Sequence, residues 1–166
     1  LLPRLKAFSQ AHPEVAVNLS TRLAPFDFGR EAFDAAVHFG VQDWQGVDYR
    51  ELMRERVIPA GPVGLLPDGP LPAGALLDLP LLHLASRPGA WEDWFARRKV
   101  PIGRLQGMLF DQFSHVSEAA ALGLGLALLP SFLFEAERDR GRLVAAAEGY
   151  EEIGRASCRE RVSLNV

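Results

Sequence analysis

The apolar residues of this chain switch repeatedly from helix spacing to strand spacing, and that succession confines the fold to a layered α/β architecture. Leu1, Leu2, Leu5 and Phe8 share one face of a helix. It stops at His12-Pro13, because the residue before a proline is pushed out of the α region. Val15, Val17 and Leu19 then alternate with Ala16, Asn18 and Ser20, the period of a strand with one buried face. A short helical segment over Pro25–Glu31 leads into a second alternating run, Phe33, Ala35, Val37 and Phe39. Gly40 to Gly46 is a loop, and Leu52 to Ile58 is the next strand. This order points to largely parallel strands.

From Pro59 to Gly74, nine of 16 residues are Pro or Gly, a composition that marks a crossing between two lobes followed by exposed turns. The boundaries expected are 1–59 for lobe one and 60–151 for lobe two. In lobe two the pattern predicts a helical turn at Leu76–Leu79, a strand at Leu81–Leu84 and a helix at Ala90–Arg98. A strand at Leu105–Phe110, a helix at Ser114–Leu122, a strand at Leu124–Leu129, a helix at Phe132–Arg140 and a short strand near Leu143 follow. Trp91, Trp94 and Phe95 stand at i, i+3 and i+4, so they share the buried face of their helix. Gly123 suits a helix C-cap. Residues 152–166 crowd ions into Arg155–Arg161 without a helical or alternating apolar face, and are expected to lie outside the fold.

Eighteen basic against 21 acidic side chains give a net charge of -3, which argues against a domain that grips nucleic acid by its phosphates. The longest near-continuous apolar run, Ala119 to Leu129, is interrupted by two glycines and is well short of the roughly 20 residues that span a bilayer. A single cysteine makes no internal disulfide, and no Cys/His spacing suits zinc, so neither a metal nor a cofactor is implied. His12, His38, His83 and His115 are isolated, and neither an HExxH nor a GxSxG segment is present. Polar residues gather instead at strand ends and helix starts: Ser20 and Thr21, then His38, Phe39 and Gly40, then Ser86 and Arg87, then Phe113 and Ser114. Ser114, with Glu118 one turn on, reads as an N-cap. Such clusters, two from each lobe, converge on one cleft if the lobes face each other, and small ligands favour that place.

Four pieces of this sequence resemble the effector-binding domain of LysR-type transcriptional regulators: LLPRLKAFSQAHPEVAVNLST (Leu1 to Thr21), FDAAVHFG with its DWQGV loop (Phe33 to Val47), LLHLASRPGAWEDWF (Leu81 to Phe95) and FDQFSHVSEAAALGLGLALLP (Phe110 to Pro130). They stand in the family's order over nearly all of residues 1–150, and the nearest subgroup includes the glycine-cleavage and β-lactamase-inducer activators. The resemblance implies a two-lobed fold like the type 2 periplasmic binding proteins, truncated here at both ends. It further implies a small-molecule effector held between the lobes, no catalysis and a cytoplasmic location. By position Thr21 is the effector-binding hydroxyl and Phe39 replaces a residue that is often basic, which leaves His38, Arg87 and the start of the Ser114 helix as the polar candidates. Dimers in this family pair the first helix with the second-lobe helix, here Leu1–Ala11 against Ser114–Leu122. The helix-turn-helix that touches DNA and the first strand of lobe one would precede Leu1, and the family's usual return strand and final helix after the Leu143 segment are expected to be missing from this sequence.

Residues 152–162, by contrast, resemble a translated sequencing adapter, the alternative being a charged, frayed native tail. An incomplete lobe one leaves unpaired strand edges and an exposed apolar face, so the chain alone is expected to fold poorly. The same fold would serve a solute-binding protein of a transporter, and a small hydrolase using His38 or His83 is a third reading.

Overall fold

A computed structural model describes residues 2–22, 26–39, 47–66 and 69–161. The elements are α1 (Leu2–Ala11), β1 (Ala35–Phe39), β2 (Val47–Pro62), a 3-10 turn (Ala73–Asp78), β3 (Leu81–Leu84), α2 (Ala90–Arg97) and β4 (Leu109–Phe110). They continue as α3 (Phe113–Ala121), β5 (Leu126–Pro130), α4 (Ser131–Asp139), β6 (Leu143–Ala145) and β7 (Glu151–Arg161).

The strands lie in the order β1-β7-β2-β5-β3-β4, with β6 paired to β2. The architecture is α/β, but the sheet is mixed, which corrects the expectation of largely parallel strands. Only β3 runs parallel to its neighbours β4 and β5, whereas β1, β2, β5, β6 and β7 meet in antiparallel pairs. The reason is β2. Its 16 residues serve both lobes: Val47–Val57 pair with β7, Val57–Ala60 with β5, and Ala60–Pro62 with β6. The crossing is therefore made of regular strand rather than of the Pro/Gly-rich loop beyond it.

Lobe two is a three-layer sandwich. Successive residues of a strand face opposite sides of a sheet, and two core clusters follow that rule. Val57, Leu81 and Leu126 face α2 with Trp91, Trp94 and Phe95, while Ile58, Leu82 and Ala127 face α3 and α4 with Val116, Ala120 and Phe134. Trp94 and Phe95 are 0% exposed, as their helical spacing predicts. Trp91 Nε1 donates to the Leu82 carbonyl at 2.9 Å, so its burial leaves that donor satisfied. Glu92 and Asp93 in the first turn of α2, and Arg97 in the last, complement its macrodipole. Gly123, at φ 83°, closes α3 just past its C-cap Leu122.

Lobe one departs further from expectation. Residues 15–20 are irregular and exposed, although they alternate. Alternation supplies a face to bury, but a strand also needs a neighbour to take its backbone hydrogen bonds, and this segment pairs with no strand among the described residues. The helical segment expected over Pro25–Glu31 is a turn at 28–30, where Asp27 takes over the local hydrogen bonds: its Oδ1 accepts from Gly29 N at 2.8 Å and its carbonyl from Arg30 N at 3.0 Å. Pro25 and the Gly40–Gly46 loop lie outside the described residues. The Leu105–Phe110 strand shrinks to Leu109–Phe110, because only that end meets β3.

The largest correction concerns residues 152–166. As far as residue 161 they lie within the fold, as β7, between β1 and β2. A slot flanked by two strands selects for backbone hydrogen bonding more than for side-chain pattern, so no apolar alternation was needed. β7 stands where a return strand was thought to be absent.

Candidate functional site

Phe39, at the C-terminal end of β1, belongs to lobe one, and Arg87 belongs to the turn between β3 and α2 in lobe two. That turn is closed by Arg87 N donating to the Leu84 carbonyl at 2.9 Å and Ala90 N to the Arg87 carbonyl at 3.2 Å, and Gly89 at φ 76° supplies the left-handed residue that starts α2. The Arg87 guanidinium lies 3.5 Å from the centre of the Phe39 ring and 5.3 Å from that of Phe113, the first residue of α3. Its Nε and Nη2 each donate to one oxygen of Glu55, both at 2.9 Å. The side chains are 14% exposed for Arg87 and 6% for Glu55. A bidentate fork of this kind is the strong form of an ion pair.

Glu55 stands two residues before the buried Val57 on β2 and so shares its inward face. Opposite it the partner strand is irregular: Glu55 pairs with Gly154 and Arg56 with Glu152, so Ile153 of β7 is skipped. Gly154 has a second part in the arrangement, since a side chain there would run into the Phe39 ring. The ring is thus held between the β7 backbone and the guanidinium. Beside it lies a small, partly open cavity of about 10 Å³, lined by Glu55, Arg87, Phe113, Trp91 and other apolar side chains.

Of the residues singled out from sequence, Phe39, Arg87 and Phe113 come together. Ser86 is exposed and its carbonyl accepts from Arg87 Nη1 at 3.0 Å. Ser114 is exposed and is not the cap of α3: Gln112 holds that position in extended conformation, and Ser114 Oγ lies 3.5 Å from Gln112 Oε1. His38 is half-buried beside Phe39. Ser20 and Thr21 are exposed in the irregular segment, and Gly40 lies outside the described residues. His83 is half-buried in β3 and His115 pairs with Asp111 at 3.3 Å. Sequence reasoning missed Glu55 and Gly154. Glu55 had a weak signal, an acidic residue two places before the apolar Val57 and so on its face of the strand, but Arg54 and Arg56 on either side mask it, whereas Gly154 sat in a segment set aside.

Beneath the cleft, charge ties the helices of lobe two together. Arg142 reaches Glu118 of α3 at 2.6 Å and also Glu137 of α4, and these hydrogen bonds raise the Arg142 pKa further above its ordinary value. At the lobe crossing, Arg98 pairs with Glu151 at 2.6 Å. Tyr150 stacks under Arg56 at 4.9 Å, and burial first, then the Glu135 carboxylate, pushes its hydroxyl pKa up.

Two lobes joined by long strands, with a charged and aromatic cluster at their junction, define a ligand-sensing domain of the periplasmic-binding-protein type. The LysR substrate binding domain family matches residues 1–156, and the chain belongs to that family, the effector-sensing domain of LysR-type regulators. It is 34% identical over 155 residues to the HTH-type transcriptional activator AmpR of Rhodobacter capsulatus, covering 93% of this chain and 53% of that protein. It is 36% identical over 149 residues to the HTH-type transcriptional regulator TrpI of Pseudomonas aeruginosa, covering 87% and 50%. The glycine cleavage system transcriptional activator of Escherichia coli is 31% identical over 150 residues, with 87% and 48% covered. The chain thus spans about half the length of these relatives. The solved effector domain of AmpR from Pseudomonas aeruginosa superposes with a TM-score of 0.84 at 26% identity, covering 98% of this chain and 79% of that one. These relatives are transcriptional regulators, which favours the regulator over the transporter and hydrolase readings. Among the described residues no helix is long and apolar enough to cross a membrane.

Proposed function

We propose that this domain holds its small-molecule effector at the Phe39–Glu55–Arg87–Phe113 cluster and reports occupancy through the separation of its lobes. The observation that carries the reading is a side chain that bridges them: Arg87 of lobe two stacks on Phe39 of lobe one and is forked onto Glu55 of the crossing strand. A ligand that competes for Arg87 has a different affinity for the joined and the separated arrangement, which is the requirement for a switch. Ser86 and Ser114 supply hydroxyls beside Arg87 and Phe113, and Ser20, Thr21 and His38 are the lobe-one residues that would complete the wall. In the whole cytoplasmic regulator, two copies pair through Leu1–Ala11 and Ser114–Leu122, and a helix-turn-helix outside these 166 residues contacts DNA. The exposure of Phe8 on α1 and of Leu122 beyond α3 supports that pairing.

A thermal-shift screen of amino acids, carboxylic acids, sugars and nucleosides against the chain tests the site. At least one compound should raise Tm, the shift should vanish in Arg87→Ala, and it should survive in Phe132→Ser, a change on the exposed side of α4. Undiminished shifts in Arg87→Ala, Phe39→Ala and Phe113→Ala would place the ligand elsewhere.

A further inference from the structure

Among the described residues that line this small cavity, Glu55 and Arg87 carry the only charges, one of each sign, and the remaining wall is apolar, including Val57, Leu84, Trp91, Phe113 and Ile153. Both charges are largely shielded from water and rely on each other. A space of about 10 Å³ holds about one water molecule, so a ligand that enters must part the pair. The consequence is a rule about ligand charge. A simple anion satisfies Arg87 but strands the Glu55 carboxylate without a partner, and a simple cation satisfies Glu55 but strands the guanidinium. Stranding a shielded charge is strongly unfavourable. A molecule that carries both signs a short distance apart replaces one ion pair by two and leaves neither residue unpaired.

We infer that the cleft takes a zwitterion with an apolar side group, that is, an apolar α-amino acid. Its carboxylate occupies the Nε/Nη2 fork of Arg87 that now holds Glu55, which is the geometry an α-carboxylate also presents. Its ammonium meets Glu55, and its side group lies against Phe39 and Phe113. The two charges of an α-amino acid are separated by a single carbon, so both stay within reach of the pair once Glu55 has left the fork. Room for the ligand's bulk, far more than the present space offers, comes from separation of the lobes, which draws Phe39 off the guanidinium. The inference rests on the cleft being the ligand site, and it adds the chemical class of the ligand.

Titration calorimetry of the 166-residue chain, first checked for a cooperative urea-unfolding transition, with L-leucine, N-acetyl-L-leucine and L-leucinamide decides it without any variant. L-leucine should bind, and each blocked analogue should bind more than about tenfold more weakly, which corresponds to about 1.4 kcal/mol. Glu55→Gln should invert the preference, weakening L-leucine and strengthening N-acetyl-L-leucine. Equal binding of N-acetyl-L-leucine and L-leucine to the native chain would overturn the zwitterion while leaving the cleft as an anion site. No binding of L-leucine or L-phenylalanine at millimolar concentration would also overturn it, and the broader screen would then show separately whether the cleft holds another class of ligand.

Discussion

The two lobes use the same local patterns and reach different ends. In lobe two, β2, β5 and β3 each lie between two paired strands, and Leu81, Leu126, Trp94 and Phe95 are sealed on one side while Leu82, Ala127 and Phe134 are sealed on the other. In lobe one, Val37 is 60% and Leu52 54% exposed, and Val15, Val17 and Leu19 are exposed as well. Phe28 is its one buried hydrophobic core residue among those described before β2. A strand pattern is therefore necessary but not sufficient: what converts it into structure is a second layer and a hydrogen-bonding neighbour. Lobe two brings both with it. Lobe one depends on β7, and on Arg87 reaching across from the better-packed half.

If this asymmetry holds, substitutions should rank by lobe and by reach between lobes. Trp94→Ala removes the largest fully buried side chain of lobe two and should cost about 3–5 kcal/mol, read by urea unfolding. Arg87→Ala leaves Glu55 shielded and without its partner, and should cost about 3 kcal/mol. The double variant Arg87→Ala with Glu55→Gln should recover part of that loss, which an ordinary packing effect would not do. Gly154→Ala pushes a methyl group into the Phe39 ring and should cost about 1–3 kcal/mol, with Phe39 displaced from Arg87 and ligand affinity reduced.

Two smaller effects sharpen the contrast. Leu52→Thr, on the exposed lobe-one part of β2, should change stability by no more than about 0.5 kcal/mol, and a larger loss would mean that this face is covered in solution. Tyr150 at the crossing has a raised pKa, so folding favours its neutral form. Its contribution is therefore intact below the ordinary tyrosine value of about 10 and declines as pH climbs through the raised folded value. An ultraviolet absorbance titration should show one of the two tyrosines ionising late, and Tyr150→Phe should remove that phase.

Most of lobe two was legible in the sequence. Leu81–Leu84 forms the expected strand residue for residue, α2 ends one residue short of expectation, and the Trp91/Trp94/Phe95 face is the core it reads as. These segments carry both their period and their stop signals locally. Lobe one was legible only in part, because Val15–Leu19 and Glu151–Arg161 are decided by partners distant in sequence. The first has strand pattern without a described partner, and the second has two partners without strand pattern. The site divides in the same way. Arg87 and Phe113 sit at element ends, where polar and aromatic residues attract notice, and Phe39 closes an alternating run. Glu55 was hidden inside a strand and joins the cluster only through the approach of Arg87 from 32 residues away. Ser114 was misread as a cap because the first helical turn begins one residue earlier, at Phe113.

The central claim is that one ligand is gripped by both lobes at Arg87, and hydrogen exchange along the chain tests it most directly. In the free protein, amides of β3 and β5 should exchange slowly and those of β1 quickly. With the compound that raises Tm most at saturation, protection should rise together at Ala35–Phe39 and across residues 84–90, and Arg87→Ala should abolish both changes. Protection confined to one lobe, or unchanged in Arg87→Ala, would contradict the account.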